Sequence, residues 1–391
     1  MPVIARDDRT PGREGSLDAL LAAREIAIVC GPGGVGKTTT AAATGAMAAV
    51  HQEGRVLVLT VDPARRLADA LGVKGLGNAE RRIPDELFRE AGVTPRGELW
   101  AAMLDTKESW DALIRLHSPD ARTRQQILQN PLYRNISGRF VQSHDYIAME
   151  RLYEIHAEGT YDLIVVDTPP SRHALDFLDA PKRMADFFSS RLLRWLIVPY
   201  RSRVMNIASK PFYQVADRLL GTQFLSDIAE FFILFNSLHQ GFVARAESVS
   251  HLLEDRRTTF VVVSTLEAAP LHEAELLAGA LAERRLHLGA LVFNKVLPDY
   301  LRDAEAADVA RALSEHAGQI AAQLPTDPAM TERLLEEIAQ SFLNLRVVAR
   351  REAEQLADVT ASPDVVASAP AFDTDIGDMA GLLRLGRALW G

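Results

Sequence analysis

The sequence predicts an α/β protein whose doubly wound, mostly parallel sheet is interrupted by an all-helical insert. Three observations carry that prediction. Short apolar runs of strand length recur along the chain, separated by stretches long enough for helices. The first run ends in a glycine-rich turn that opens a helix. Two long stretches show no strand pattern at all. Strands that alternate with helices imply parallel β-α-β units.

In chain order, residues 1–15 are polar, with Pro, Gly and Arg, and read as a flexible tail. Glu25–Cys30 is the first buried strand, and the Ala- and Thr-rich segment from Lys37 to Val50 suits a helix packed closely on a sheet. Arg55–Val61, Leu99–Leu104, Tyr161–Val166, Thr259–Val263 and Leu288–Phe293 are the next five strands. Ile320–Leu324 and Val365–Ser368 are candidates for two more. Residues 106–160, punctuated by Pro119 and Pro131, and residues 174–256 carry helical periodicity alone. Both follow the carboxyl ends of strands, where α/β sheets place their ligands. The expected division is one domain from 16–105, 161–173 and 257–391, with 106–160 and 174–256 forming a helical subdomain over its ligand edge. There is no internal repeat.

Composition narrows the function. Of 391 residues 48% are apolar and 24% charged, ordinary globular usage, and the net charge of −9 offers no general attraction for nucleic acid or anionic lipid. Cys30 is the single cysteine, which excludes intrachain disulfides, Cys-rich zinc sites and three-thiolate metalloid sites. The first residues lack the apolar core of a signal peptide, and no run approaches the ~20 apolar residues of a membrane span. The C-terminal helix expected from Asp378 to Trp390 has only Arg384 and Arg387 as cations, too few for anchoring to an anionic membrane. A cytoplasmic location is expected. There are 37 arginines but only six lysines. Lys37 is the clearest place where that bias is resisted, because a bulky guanidinium would not fit inside a phosphate-binding loop.

That loop is Gly31-Pro32-Gly33-Gly34-Val35-Gly36-Lys37-Thr38, which fits G-x-x-x-x-G-K-[ST] and sits between a strand and a helix, the context that gives the motif meaning. Backbone N–H groups from Gly33 to Thr38 would cradle phosphates, helped by the helix dipole. Lys37 would contact the β- and γ-phosphates, and the Thr38 hydroxyl would ligate Mg²⁺. A glycine-rich turn with a coincidental lysine is the bland alternative. The sheet is therefore expected to be that of a P-loop NTPase.

Asp62 follows the second strand in Thr60-Val61-Asp62-Pro63-Ala64-Arg65-Arg66-Leu67, facing the loop across the strand ends, where a carboxylate can orient water on a γ-phosphate. It can equally cap the helix that begins at Pro63. The two roles together would make a switch. Asp167 ends a strongly apolar strand in Val166-Asp167-Thr168-Pro169-Pro170-Ser171-Arg172-His173, the position that holds Mg²⁺ through its water shell. Asn294 ends the sixth strand, either hydrogen-bonding adenine or serving as a turn residue, and Leu324-Pro325 is a candidate wall of the base pocket. The candidate nucleotide-binding residues are thus Gly33, Gly34, Val35, Gly36, Lys37, Thr38, Thr39, Asn294 and Pro325. Thr38 and Asp167 are the candidate metal residues, and Asp62 and Lys37 the candidate catalytic ones.

Together these loops resemble the arsenical pump-driving and tail-anchored-protein-targeting ATPase family. The resemblance is carried by Gly33-Gly-Val-Gly-Lys-Thr-Thr39, Asp62-Pro-Ala64 with Leu67 and Asp69, Leu104-Asp105, Asp167-Thr168 with His173, and Asn294 with Lys295. It runs in order over roughly residues 25–391, and Asp167-Thr-Pro-Pro-Ser-Arg-His-Ala-Leu-Asp-Phe-Leu-Asp-Ala-Pro181 is most similar to single-P-loop, anion-transporting-ATPase-like proteins. It implies Mg²⁺-dependent ATP hydrolysis by nucleotide-bridged dimers whose helical subdomains open and close with the ATP state, and the leading expectation is a switch that handles a protein or membrane-associated client. It also implies that Asp62 orients the water and Asn294 reads adenine.

The sequence departs from that family in three places. The family's signature lysine beside the Gly-Gly pair is replaced by Pro32, preceded by Gly31. Arg65 and Arg66 stand where the family has His and Asn. The arsenite-binding thiolates and the zinc-binding Cys-x-x-Cys are missing, so neither arsenite nor zinc is expected. Two remedies for the missing lysine are open. Arg65, Arg66 or Arg172 acts as an arginine finger in cis or in trans within a homodimer, or a homologous ATPase supplies the lysine in a heterodimer. A partition or positioning ATPase of the same superclass is the alternative function, and a small-molecule ligase or kinase is a third. In the insert, Phe224, Ile228, Phe231, Phe232, Phe235, Leu238 and Phe242 recur at helical spacing, either as the insert's own core or as a groove for an apolar client.

Overall fold

A computed structural model describes residues 16–61, 66–73, 75–136, 143–168, 179–180, 182–183, 186, 234 and 239–390. Its frame is an eight-stranded sheet of β1 (Ile26–Cys30), β2 (Arg55–Thr60), β3 (Arg81–Arg82), β4 (Glu98–Met103), β5 (Leu163–Asp167), β6 (Thr258–Ser264), β7 (Leu288–Val296) and β8 (Val365–Pro370). The order is β3-β4-β2-β5-β1-β6-β7-β8, and every pairing is parallel except that of β3 with β4. Strands β1, β5 and β6 are buried along their whole length. That is why they read as unbroken apolar runs: in a parallel sheet covered on both faces, alternate side chains meet a helix layer on either side.

The helices are α1 (Leu17–Ala22), α2 (Lys37–His51), α3 (Arg66–Ala70), α4 (Asp85–Glu90), α5 (Thr106–His117), α6 (Ala121–Gln129), α7 (Pro131–Ile136), α8 (Ser143–Glu158), α9 (His239–Glu254), α10 (Ala268–Glu283), α11 (Ala304–Glu315), α12 (Ala317–Ala321), α13 (Pro328–Asp358) and α14 (Met379–Trp390). One core layer joins Ala27, Val29, Val58, Val165 and Val263 to α1, α2 and α14. The other joins Ile26, Ile28, Leu57, Leu59, Ile164 and Val262 to α5, α8, α9 and α10. The small residues of α2 let it lie close to the sheet: Ala41, Ala42, Ala43, Ala46, Ala48 and Ala49 are all buried, and a methyl group on Gly45 would meet Val58 at 2.2 Å. The helices between Thr106 and Glu158 pack on the sheet itself, sharing one continuous core with it.

The six main strands lie where the apolar runs predict, and β8 bears out Val365–Ser368. Ile320–Leu324 is not a strand. It falls on α12 and the turn after it, with only Ala321 buried. A five-residue apolar run does not distinguish strand from helix, and the two alanines favour helix here. The antiparallel β3, two exposed arginines, carries no apolar signal and escapes the pattern. Helix α13 was also not foreseen. It runs for 31 residues, starts with Pro328 at its first position, and is capped by the Asp327 side chain, which accepts from Ala329 N. The apolar insert stripe from Phe224 to Phe242 lies outside the described residues except for Leu234, which packs on the core, and the start of α9. Among the described residues no helix is long and apolar enough to cross a membrane.

Candidate functional site

Strand β1 hands the chain to α2 through Gly31–Gly36, at the sheet position where neighbours diverge to β5 on one side and β6 on the other. Two glycines make the turn possible. Gly31 has φ +143° and lies so close to β6 that a β-carbon would sit 2.1 Å from Val263 O. Gly36 has φ +94°, the left-handed region, and a β-carbon there would strike Asn294 Nδ2 at 2.3 Å. Gly36 is the cap residue of α2, and no side chain caps that helix. Side-chain oxygens of Ser16, Asp105, Asp120, Asp303 and Asp327 occupy the first-turn amides of α1, α5, α6, α11 and α13, whereas α4, α10 and α12, like α2, have no side-chain cap. The first amides of α2 are left for an anion.

Lys37 opens α2 and is 6% exposed, its Nζ donating to Pro32 O at 2.7 Å. The ammonium is thus folded over the loop, within the space its glycines leave. Thr38 and Thr39 are half-buried beside it. Just behind, the Cys30 thiol is buried, and burial pushes it up to about 12 against the opposing pull of Lys37. It is a packing residue, not a nucleophile.

Asp167 ends β5, in register with Val29 of β1 and Thr60 of β2. It is fully buried, and its Oδ2 accepts from Thr60 Oγ1 at 2.7 Å. The next residue, Thr168, donates through Oγ1 to Val29 O at 3.0 Å. These bonds fix the carboxylate at the carboxyl edge of the sheet, one strand from the glycine-rich turn. Thr60 is the residue that sequence reasoning undervalued. Its signal was a hydroxyl closing an otherwise apolar strand.

Asn294 sits on β7 beyond β6, 8% exposed. Its Nδ2 donates to Val35 O at 2.9 Å, and its Oδ1 accepts from Lys295 N at 3.0 Å. Lys295 holds a left-handed backbone (φ +61°) and places Nζ 3.5 Å from Gly34 O. The Asn-Lys pair therefore braces the turn from outside. Pro325 and Leu324 are exposed in the turn after α12. Asp62, Arg65, Arg172 and His173 lie outside the described residues, while Arg66 begins α3.

The residues present fit a magnesium–triphosphate group: glycines leave room where β-carbons would intrude, the α2 amides are uncapped by side chains, Thr38 brings a hydroxyl to the first turn of α2, and the buried carboxylate of Asp167 ends the strand beside β1. The sequence profile of the anion-transporting ATPases matches residues 24–323. This chain belongs to the anion-transporting ATPase family. Membership makes it a P-loop ATP hydrolase. Among relatives, an uncharacterized protein of Streptomyces coelicolor is 32% identical over 277 residues, 70% of this chain and 62% of that protein. A protein named ATPase ASNA1 homolog from Entamoeba dispar is 27% identical over 69% of this chain and 76% of its own length. A putative arsenical pump-driving ATPase 2 of Aquifex aeolicus is 26% identical over 70% of this chain and 80% of its own. The matched stretch thus spans less than two thirds of the Streptomyces protein.

Proposed function

We propose that this anion-transporting ATPase family member is a Mg²⁺-dependent, dimeric, cytoplasmic switch that uses ATP to bind and deliver an apolar protein or membrane-associated client. The observation that carries the nucleotide part is the uncapped, glycine-lined turn with Lys37 over it and Asp167 locked one strand away. Lys37 holds the β- and γ-phosphates once its bond to Pro32 O is exchanged for theirs. Thr38 would hold the metal directly and Asp167 through water, and the ion, when bound, neutralises charge between the terminal phosphates. Asp62 orients the attacking water, a role argued from its place after β2. Asn294 keeps the loop shaped and contributes to the adenine side, with Pro325 assigned to the wall of the base pocket.

The test is hydrolysis with and without chelator in three proteins. Lys37→Ala abolishes nucleotide binding, whereas Asp62→Asn keeps binding and slows turnover by about 10²-fold, the scale of losing a water-positioning group. Equal turnover in wild type and Asp62→Asn removes Asp62 from the mechanism. Asp62→Asn held in ATP is also the state in which to look for the client surface. Hydrophobic-dye binding then differs between the nucleotide-free and ATP-held protein, and a flat response excludes an exposed client groove.

A further inference from the structure

Helix α13 begins five residues after residue 323, where the family profile ends. One face packs through Ala339, Arg346 and Ala349 against α11, α12 and the 3₁₀ turn Asp299–Arg302. Arg346 ties that face down by donating to the carbonyls of Leu301 and Asp303. Beside it runs a second stripe of Met330, Leu334, Ile338, Leu345, Val348 and Leu356, between 40% and 73% exposed. At 3.6 residues per turn these six fall within an arc of about 80°, along roughly 39 Å of helix. Of the 13 large exposed apolar residues among those described, six lie on this stripe, so it is a patch and not scatter. Isolated apolar side chains on a surface need no explanation, but a continuous stripe needs a cover.

The stripe's own symmetry identifies the cover. Reversing the helix about a point at residue 343 matches four of its six apolar residues in two pairs and sets the other two against Ser341 and Glu352. Met330 then faces Leu356, Ile338 faces Val348, and the small Ser341 faces Leu345. Leu334 faces the stem of Glu352, whose carboxylate accepts from Leu297 N at 2.9 Å. The charges on the flank reverse about residue 344, one position from the centre of the stripe. Glu337 and Arg351, both exposed, lie on the same edge of the stripe with Asn344 midway between them. Two antiparallel copies bring Glu337 of each against Arg351 of the other, twice, as edge charges do in helix pairs that select their own direction. A parallel pair leaves both residues without that partner. Four of the five successive seam positions from Leu334 to Val348 are apolar, at alternating steps of four and three.

We infer that α13 is a homotypic interface, through which two copies of this chain associate by antiparallel pairing of their α13 stripes. The pairing uses no residue of the phosphate loop and needs no nucleotide. It therefore stands whether or not the ATP-dependent dimer of the preceding section forms.

Sedimentation of the full chain at micromolar concentration, without nucleotide, tests it. Wild type and Lys37→Ala both sediment as dimers, since a nucleotide-bridged dimer is impossible in the second. Ile338→Glu and Leu345→Glu sediment as monomers with unchanged helix content by circular dichroism. Glu337→Arg weakens association about tenfold, and adding Arg351→Glu in the same chain restores it. For direction, Asn344→Cys near the centre joins to its own copy under mild oxidation while Leu334→Cys does not; Cys30 is buried and does not compete. A monomeric wild type, a dimer that survives both glutamate substitutions, or equal self-joining of Leu334→Cys and Asn344→Cys would each overturn the proposal.

Discussion

A single side chain couples the outer half of the sheet to the phosphate loop. Asn294 gives its Nδ2 hydrogen to Val35 O and occupies the space that Gly36 leaves by having no β-carbon. Asn294→Ala leaves the Val35 carbonyl without its donor and opens room beside Gly36, so the loop loses its preformed shape. Nucleotide affinity should fall about tenfold, the worth of one buried hydrogen bond, with turnover at saturation changing less. Titration with a fluorescent ATP analogue measures the affinity; equal affinity in the two proteins would show that Asn294 does not shape the loop. At this scale the sequence was legible in position: Lys37 and Thr38 open α2 directly after β1 and its glycine-rich turn, and Asp167 ends the adjoining β5. It was not legible where one residue's role depends on another far away. Neither the bond from Thr60 to Asp167 nor the reach of Lys295 to Gly34 O follows from a local pattern, because each joins residues more than a hundred positions apart.

Among the helices, α8 and α9 are held by a buried charge. Glu150 is paired with Arg245 at 2.6 Å and accepts from Tyr146 Oη at 3.3 Å, while Arg245 lies 4.7 Å above the Tyr153 ring centre. Burial raises the Glu150 carboxyl to about 7, against the pull of Arg245. An acid raised above its unfolded value holds a proton in the folded state that the unfolded chain has released. Its contribution to stability is therefore greatest below the unfolded value near 4.5, declines as pH rises to about 7, and is flat above. The decline should amount to about 3 kcal/mol at most. Thermal unfolding measured between pH 5 and 8 should show it in wild type and lose it in Glu150→Gln. Arg245→Met, which strips Glu150 of its counter-charge, should extend the fall to higher pH and make it larger in total; identical profiles in all three proteins would mean that Glu150 is not the group responsible. None of this was readable in sequence, since glutamate and arginine on two helices 95 positions apart look like ordinary solvated charges. What was readable was periodicity, which located the strands and the helical character of residues 106–158 but misassigned the alanine-containing run at α12.

For the whole molecule, the consequential feature is the strand order. Placing β1 between β5 and β6 brings the phosphate loop, Asp167 and Asn294 to one edge of the sheet from three distant parts of the chain. The sequence announced the parallel frame, because its strands are apolar runs divided by helix-length segments, yet no periodicity specifies which strand neighbours which. That edge is also where the missing lysine matters. Pro32 is uncharged and lends only its carbonyl, which Lys37 Nζ holds. The proposed switch therefore draws a second cation from Arg65, Arg66 or Arg172, or from a homologous partner, and in each case a site that depends on a neighbouring chain should behave cooperatively. Adding excess Lys37→Ala protein to a fixed amount of wild type is the measurement. If loaded faces complete one another, mixed dimers carry one empty face, and hydrolysis per wild-type chain should fall toward the level of an isolated subunit as the excess grows. Using Ile338→Glu in both proteins removes pairing through α13, so that the remaining effect belongs to the nucleotide edge alone. Unchanged hydrolysis at every ratio would mean that each chain completes its own site, leaving a cation in cis as the replacement for the lysine.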